Sequence, residues 1–173
     1  MSGNECNGQL SPLLVVSSLI GLLLSIYTTH VEIQLESDHD YEALCDLNAK
    51  ISCTKVFSSR YGRGFGIINM ILEEDSILNQ PNGLFGVFFY TLMALLSFVS
   101  DSKVAQVQVI LCVISNILSL YLAYLLYFIL EDFCIVCVST YVINAANLYF
   151  STKRYKKLLY LENKTKKDDD KIK

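Results

Sequence analysis

The sequence predicts an all-α membrane protein: a four-transmembrane-helix bundle with a luminal loop or cap between helices 1 and 2. Three observations predict it. Of its 173 residues 53% are hydrophobic and only 18% are charged, and the mean hydropathy is +0.40, the composition of a small polytopic protein rather than a soluble domain. Four apolar runs approach or exceed the length that crosses a bilayer, and charged or turn-forming stretches separate them. The net charge of −3 hides a division, since nine of the fourteen basic residues lie from Lys153 to Lys173 while nine acids lie from Val31 to Asn82. That asymmetry assigns the two regions to opposite sides of a membrane. The chain reads as a single integral membrane domain, 1–173, in contact with the lipid bilayer and with no nucleic-acid partner.

The first span is expected at about 12–29. Met1 to Ser11 has no Lys or Arg, a poor leader for a cleaved signal peptide, so this span is expected to stay in the mature chain. The stretch 31–82 follows as an ordered cap. It holds Cys45 and Cys53, and its apolar patch from Ile67 to Leu72 is too short to span and suits a lid over the bundle mouth. Gly62, Gly64 and Gly66 lack the spacing and the strand-to-helix context of a dinucleotide fingerprint, and are expected to permit a tight backbone path. Asn79-Gln-Pro-Asn-Gly83 signals a turn before the second span, about 84–100. The third span, about 104–130, ends at Glu131-Asp132, and the fourth covers about 133–150. Lys153, Arg154, Lys156 and Lys157 come directly after it. The positive-inside rule makes 151–173 a cytosolic tail, the N-terminus cytosolic too, and the cap and the start of the fourth span luminal. From Lys164 onward the tail is expected to be disordered, and the sequon at Asn163 to be unused.

The chemistry centres on Cys134-Ile-Val-Cys137 at the start of the fourth span. On a helix Cys134, Cys137, Tyr141, Asn144 and Leu148 share one face, with Cys137 roughly 4–5 Å deeper than Cys134. The upper thiol can meet a soluble partner and the lower one an apolar partner. Asp132 is expected to cap the helix and leave Cys134 in the first turn, where the helix terminus favours a thiolate and the neighbouring acids oppose it. Two ordinary buried cysteines are the plain alternative. Cys45 and Cys53 suit a structural staple, the aqueous half of a thiol relay, or, with the other pair, a zinc tetrahedron; no metal is expected. Cys112 and Cys6 read as inert, and His30 and His39 as plain loop residues. Tyr141, one turn below Cys137, is expected to face the bundle interior or to serve as a packing residue whose hydroxyl bonds a neighbouring helix; Asn82 could cap the second span or donate to a substrate carbonyl, and Ser59 follows the same logic.

Taken together, Cys45-Asp-Leu-Asn-Ala-Lys-Ile-Ser-Cys53, Val56-Phe-Ser-Ser-Arg60, Gly62-Arg-Gly-Phe-Gly66, Asp75-Ser-Ile-Leu-Asn-Gln80 and Asp132-Phe-Cys-Ile-Val-Cys137 make the chain resemble the vitamin K epoxide reductase family. The resemblance runs from the first span to about Tyr160, and some stretches, such as Leu78 to Asn82, look closer to the family's reductase-like branch. It implies a four-helix bundle of the endoplasmic reticulum membrane that reduces vitamin K epoxide to the quinone and the quinone to the hydroquinone. It further implies that Cys137 is the thiolate beside the quinone ring and Cys134 its partner, that Cys53 attacks Cys134, and that Cys45 resolves Cys53. Asn82 and Tyr141 would bind the substrate oxygens, and Phe57, Ser59, Phe85 and Phe89 fall at pocket or cap positions where coumarin-type inhibitors also bind. Tyr61 stands where many vertebrate members have Trp. No permanently bound cofactor is implied, and the thiol reductant is expected in trans from a luminal thioredoxin-like oxidoreductase. The same four thiols could instead make disulfides, as in a quinone-dependent disulfide oxidase, or a tetraspanning scaffold could use one pair as a staple.

Overall fold

A computed structural model describes residues 4–38, 41–48, 50–67 and 79–172. The expectations for the Cys6 side chain, for His39 and for Ile68 to Leu72 fall outside these residues. All regular structure among them is helical: α1 (Asn4–Ser37), α2 (Cys53–Phe57), α3 (Asn82–Leu96), α4 (Ser102–Leu125) and α5 (Ile135–Ile172). A 3-10 turn covers Gly64–Gly66, and one π-helical turn, Leu126–Leu130, extends α4. That turn stops at Glu131, whose left-handed backbone (φ 53°) no helix continues.

Among the described residues three helical stretches are long and apolar enough to cross a membrane: Pro12–Ser37, Ser102–Leu130 and Ile135–Asp168. The chain is therefore a multi-pass membrane protein by length and composition. The apolar helix α3 is shorter: its 15 residues rise about 22 Å, against about 30 Å of hydrocarbon. It begins two residues before the expected second span and ends four residues before the expected end.

Round the bundle α1 lies between α3 and α5, and α5 lies against α4, whereas α3 and α4 touch little. The α1–α3 contact is close enough to demand glycine at its top. A Cβ on Gly83 would stand 2.6 Å from Thr29 Oγ1 and 2.7 Å from the Thr29 nitrogen. Polar side chains inside the apolar helices find one another. Tyr90 donates to Asn144 Oδ1 (2.7 Å), Asn144 Nδ2 to Ser119 (2.8 Å), and Asn116 Nδ2 to the Asn144 carbonyl (3.0 Å). Such pairs satisfy polar groups inside apolar helices and hold α3, α4 and α5 in register.

At one end of the bundle Arg154 is 2% exposed. Its guanidinium donates to Gln108 Oε1 (2.7 Å) and to the Ser97 and Val99 carbonyls (3.2 and 2.6 Å), closing the C-terminus of α3 against α4 and α5. The expectation of a disordered tail from Lys164 is corrected here: α5 continues unbroken to Ile172. Its side chains supply a reason in the i,i+4 pair of Lys166 Nζ with Glu162 Oε1 at 2.9 Å.

Candidate functional site

At the other end, the backbone from Ala43 and from the start of α2 converges on Asp46. Its carboxylate accepts from the backbone N–H groups of Cys53 (2.6 Å), Thr54 (3.1 Å) and Ala43 (3.1 Å), and from the Thr54 hydroxyl. One side chain thus fixes the start of α2, while Ser52 caps that helix by accepting from the Lys55 N–H. Partial burial pushes the Asp46 carboxyl up, but the Thr54 hydroxyl and the backbone donors outweigh it and hold the group below the usual carboxylate range. A depressed folded-state value stabilises this segment above about pH 4, the ordinary aspartate range, and the contribution is lost as pH falls through the lower folded value. Asp46→Ala is accordingly expected to cost about 1–3 kcal/mol locally. In hydrogen exchange at pH 7, Ala43, Cys53 and Thr54 should lose protection in the variant while α4 keeps its own.

Cys45 and Cys53 are joined by a disulfide, as are Cys134 and Cys137. The two bonds share one cluster. Cys53 and Cys134 are both fully buried in it, among Val31, Leu35, Phe57 and Leu126, with Cys45 and Cys137 packed against it. The backbone brings them there: the Ser52 N–H donates to the Phe133 carbonyl (3.1 Å) and the Phe133 N–H to the Lys50 carbonyl (2.8 Å). This parallel bridge of Ile51 with Phe133 joins the residues just before Cys53 and Cys134. Lys55 on α2 adds an ion pair with Asp132 at 3.5 Å, half-exposed and of small energetic weight.

Asp132 is therefore not the cap of α5, as the sequence suggests. The helix begins at Ile135, and Cys134 itself takes the cap position: its carbonyl accepts from Val138 (3.1 Å) and its sulfur from the Cys137 N–H (3.1 Å). The bridge to Lys50 and Ser52 holds Phe133 extended, so the helix cannot start earlier.

Below Cys137 lies an apolar cavity of about 360 Å³. Cys137, Tyr141 and Asn144 line it from α5, as helical spacing requires. Phe85 and Phe89 line it from α3, Phe57 from α2, and Asn82 at its rim; Leu111, Leu118 and Leu122 of α4 form the facing wall. Of the candidate catalytic and substrate-binding residues named from the sequence, six meet at this cavity: Cys137, Tyr141, Asn82, Phe57, Phe85 and Phe89. Cys45, Cys53, Cys134 and Ser59 are not on its wall. Ser59 turns back on its own segment, donating to the Val56 carbonyl (2.6 Å) and accepting from the Tyr61 N–H (3.3 Å).

Asn82 does not cap α3 either, because Pro81 occupies that position without a side-chain hydrogen bond. Its Nδ2 donates to the Tyr61 carbonyl (2.6 Å) and its Oδ1 accepts from the Phe65 N–H (2.8 Å), so it ties the glycine-rich turn over the cavity. Phe65 is held there at φ 58°, a conformation bulky residues avoid, and its ring lies 5.3 Å from that of Phe85. The second proton of the Asn82 amide is the donor left for a ligand.

Glu32, which no sequence motif marks, supplies the missing cap. It is 5% exposed, and its Oε2 accepts from the Gly83 N–H at 3.1 Å across the α1–α3 contact. A signal was present: Thr28, Val31, Glu32 and Leu35 share a helical stripe, which marks the glutamate as facing inward.

These features define a class, a multi-pass membrane protein in which one disulfide borders an apolar cavity and packs in one cluster with a second disulfide. The chain belongs to the vitamin K epoxide reductase family, whose sequence profile matches residues 12–152. It is similar to vitamin K epoxide reductase complex subunit 1 of Rattus norvegicus, 46% identical over 136 residues, 79% of this chain and 84% of the relative. The protein of the same name in Mus musculus is 45% identical over 149 residues, 86% of this chain and 89% of that one.

Proposed function

We propose that this chain is a vitamin K epoxide reductase acting on both the epoxide and the quinone in the endoplasmic reticulum membrane. The observation that carries the reading is the Cys134–Cys137 disulfide, one sulfur facing the apolar cavity and the other packed in a cluster with the Cys45–Cys53 disulfide. In this reading α3 completes a four-span bundle, the luminal cap expected at 31–82 begins only after α1 ends at Ser37, and both termini are cytosolic.

When reduced, Cys137 as a thiolate attacks the epoxide ring or quinone, and Cys134 resolves the resulting bond. The pair supplies two electrons and two protons; the epoxide yields quinone and water, and the quinone yields hydroquinone. Asn82 and Tyr141 hold the substrate oxygens, and Phe57, Phe85 and Phe89 hold the rings, which also suits a coumarin-type inhibitor. Restoring the dithiol takes two exchanges. Cys53 attacks Cys134 and frees Cys137, then Cys45 attacks Cys53 and frees Cys134. The Cys45–Cys53 disulfide so formed is reduced in trans by a luminal thioredoxin-like protein. No permanently bound cofactor takes part.

The experiment is turnover of vitamin K epoxide by the purified, lipid-reconstituted chain with dithiothreitol, products being separated by chromatography. Quinone and then hydroquinone are expected. A folded protein that releases neither would favour the disulfide-oxidase or scaffold reading.

A further inference from the structure

At the end of the bundle away from the disulfides, the outer face of α5 changes character within three turns. Ala145, Leu148 and Tyr149 line one part of a hollow there, and Thr152, Lys153 and Lys156 line the rest. Tyr149 is 55% exposed, and the Lys153 ammonium lies 4.9 Å from the centre of its ring. The Thr152 hydroxyl donates to the Leu148 carbonyl (2.7 Å), so the hollow's charged donors are the ammonium groups.

The charge around it is unbalanced. Lys157, one turn beyond Lys153 on the same side, ends in a buried ammonium with no hydrogen-bond partner among the described residues. Arg154 is satisfied by neutral acceptors alone. Two acids beside the ends of α4 and along α5 are engaged elsewhere: Asp101 accepts from the Lys103 and Val104 N–H groups, and Glu162 pairs with Ser102 and Lys166. Four cations within five residues thus have no carboxylate partner among the described residues, where apolar helix gives way to charge.

We propose that this hollow is a binding site for an anionic glycerophospholipid of the adjacent leaflet. One acyl chain lies along Ala145, Leu148 and Tyr149, and the headgroup sits between Lys153 and Lys156. A zwitterionic lipid has the same chains but leaves the cations unbalanced. The inference rests on the chain spanning a bilayer and is independent of the reaction.

Native mass spectrometry of the full chain with added phosphatidylserine or phosphatidylcholine tests it, with thermal unfolding measured in parallel. Phosphatidylserine should be retained preferentially and raise the melting temperature. Lys153→Gln/Lys156→Gln should weaken its retention by roughly fivefold for each lysine, whereas Lys164→Gln/Lys167→Gln, farther along the same helix, should leave it unchanged. Equal retention of the two lipids would overturn the proposal. So would full phosphatidylserine retention by the Lys153/Lys156 variant, or equal weakening in both double variants, which would reduce the effect to general surface charge.

Discussion

Cys137→Ser is expected to abolish turnover of vitamin K epoxide, by of the order of 10³-fold or more, while leaving the fold intact. A serine hydroxyl at the cavity wall is close in size to the thiol but is not ionised at neutral pH, and it cannot form the disulfide that carries off two electrons. Cys134→Ser should fail as completely at another step, because the bond from Cys137 to substrate would lack its resolving thiol. Cys112→Ala serves as the control, since that thiol is buried and packed with Leu14 and Met93 in a separate apolar cluster. Rates from chromatographic product analysis, with circular dichroism for folding, check the set. Full activity in Cys137→Ser would remove the dithiol from the mechanism.

The second large effect falls on stability at the opposite end. Arg154→Leu should destabilise the bundle by about 3–5 kcal/mol, because it strips the donors from Gln108 Oε1 and from the Ser97 and Val99 carbonyls in a water-poor site. Lysine retains the charge but not the planar fork that reaches three acceptors at once, so Arg154→Lys should recover only part of the loss. Thermal unfolding in detergent or nanodiscs measures both. A shift of less than about 0.5 kcal/mol in Arg154→Leu would show the network to be dispensable.

Arg154 also marks what the sequence could and could not disclose. Beside Lys153, Lys156 and Lys157 it reads as one member of a basic run, yet it is buried, because its partners come from Ser97, Val99 and Gln108 far along the chain. Local periodicity was legible: the stripe of Cys137, Tyr141 and Asn144 follows from helix geometry alone, and so do the apolar runs. Long-range backbone pairing was not. The bridge of Ile51 with Phe133 moves the start of α5 to Ile135 and turns Cys134 into its own cap, which no pattern near Asp132 announces. Asn82 fares likewise, since its tie to Tyr61 and Phe65 depends on a turn some twenty residues earlier. The length of α3 depended on tertiary context as well: the Arg154 network closes on carbonyls at its C-terminal end, and the chain turns there although Phe98 and Val99 continue the apolar run.

The central claim is that electrons pass between the cap and the membrane dithiol through a bond between Cys53 and Cys134. Peptide mass spectrometry without reduction, on Cys45→Ser/Cys137→Ser protein oxidised in the membrane and then alkylated, tests it most directly. With both outer thiols gone, the shared cluster and the Ile51–Phe133 bridge should drive the remaining two together, and the account predicts a Cys53–Cys134 crosslink in most molecules. Recovery of Cys53 and Cys134 separately alkylated, in protein that is folded, would contradict the relay and leave the Cys45–Cys53 bond as a structural staple.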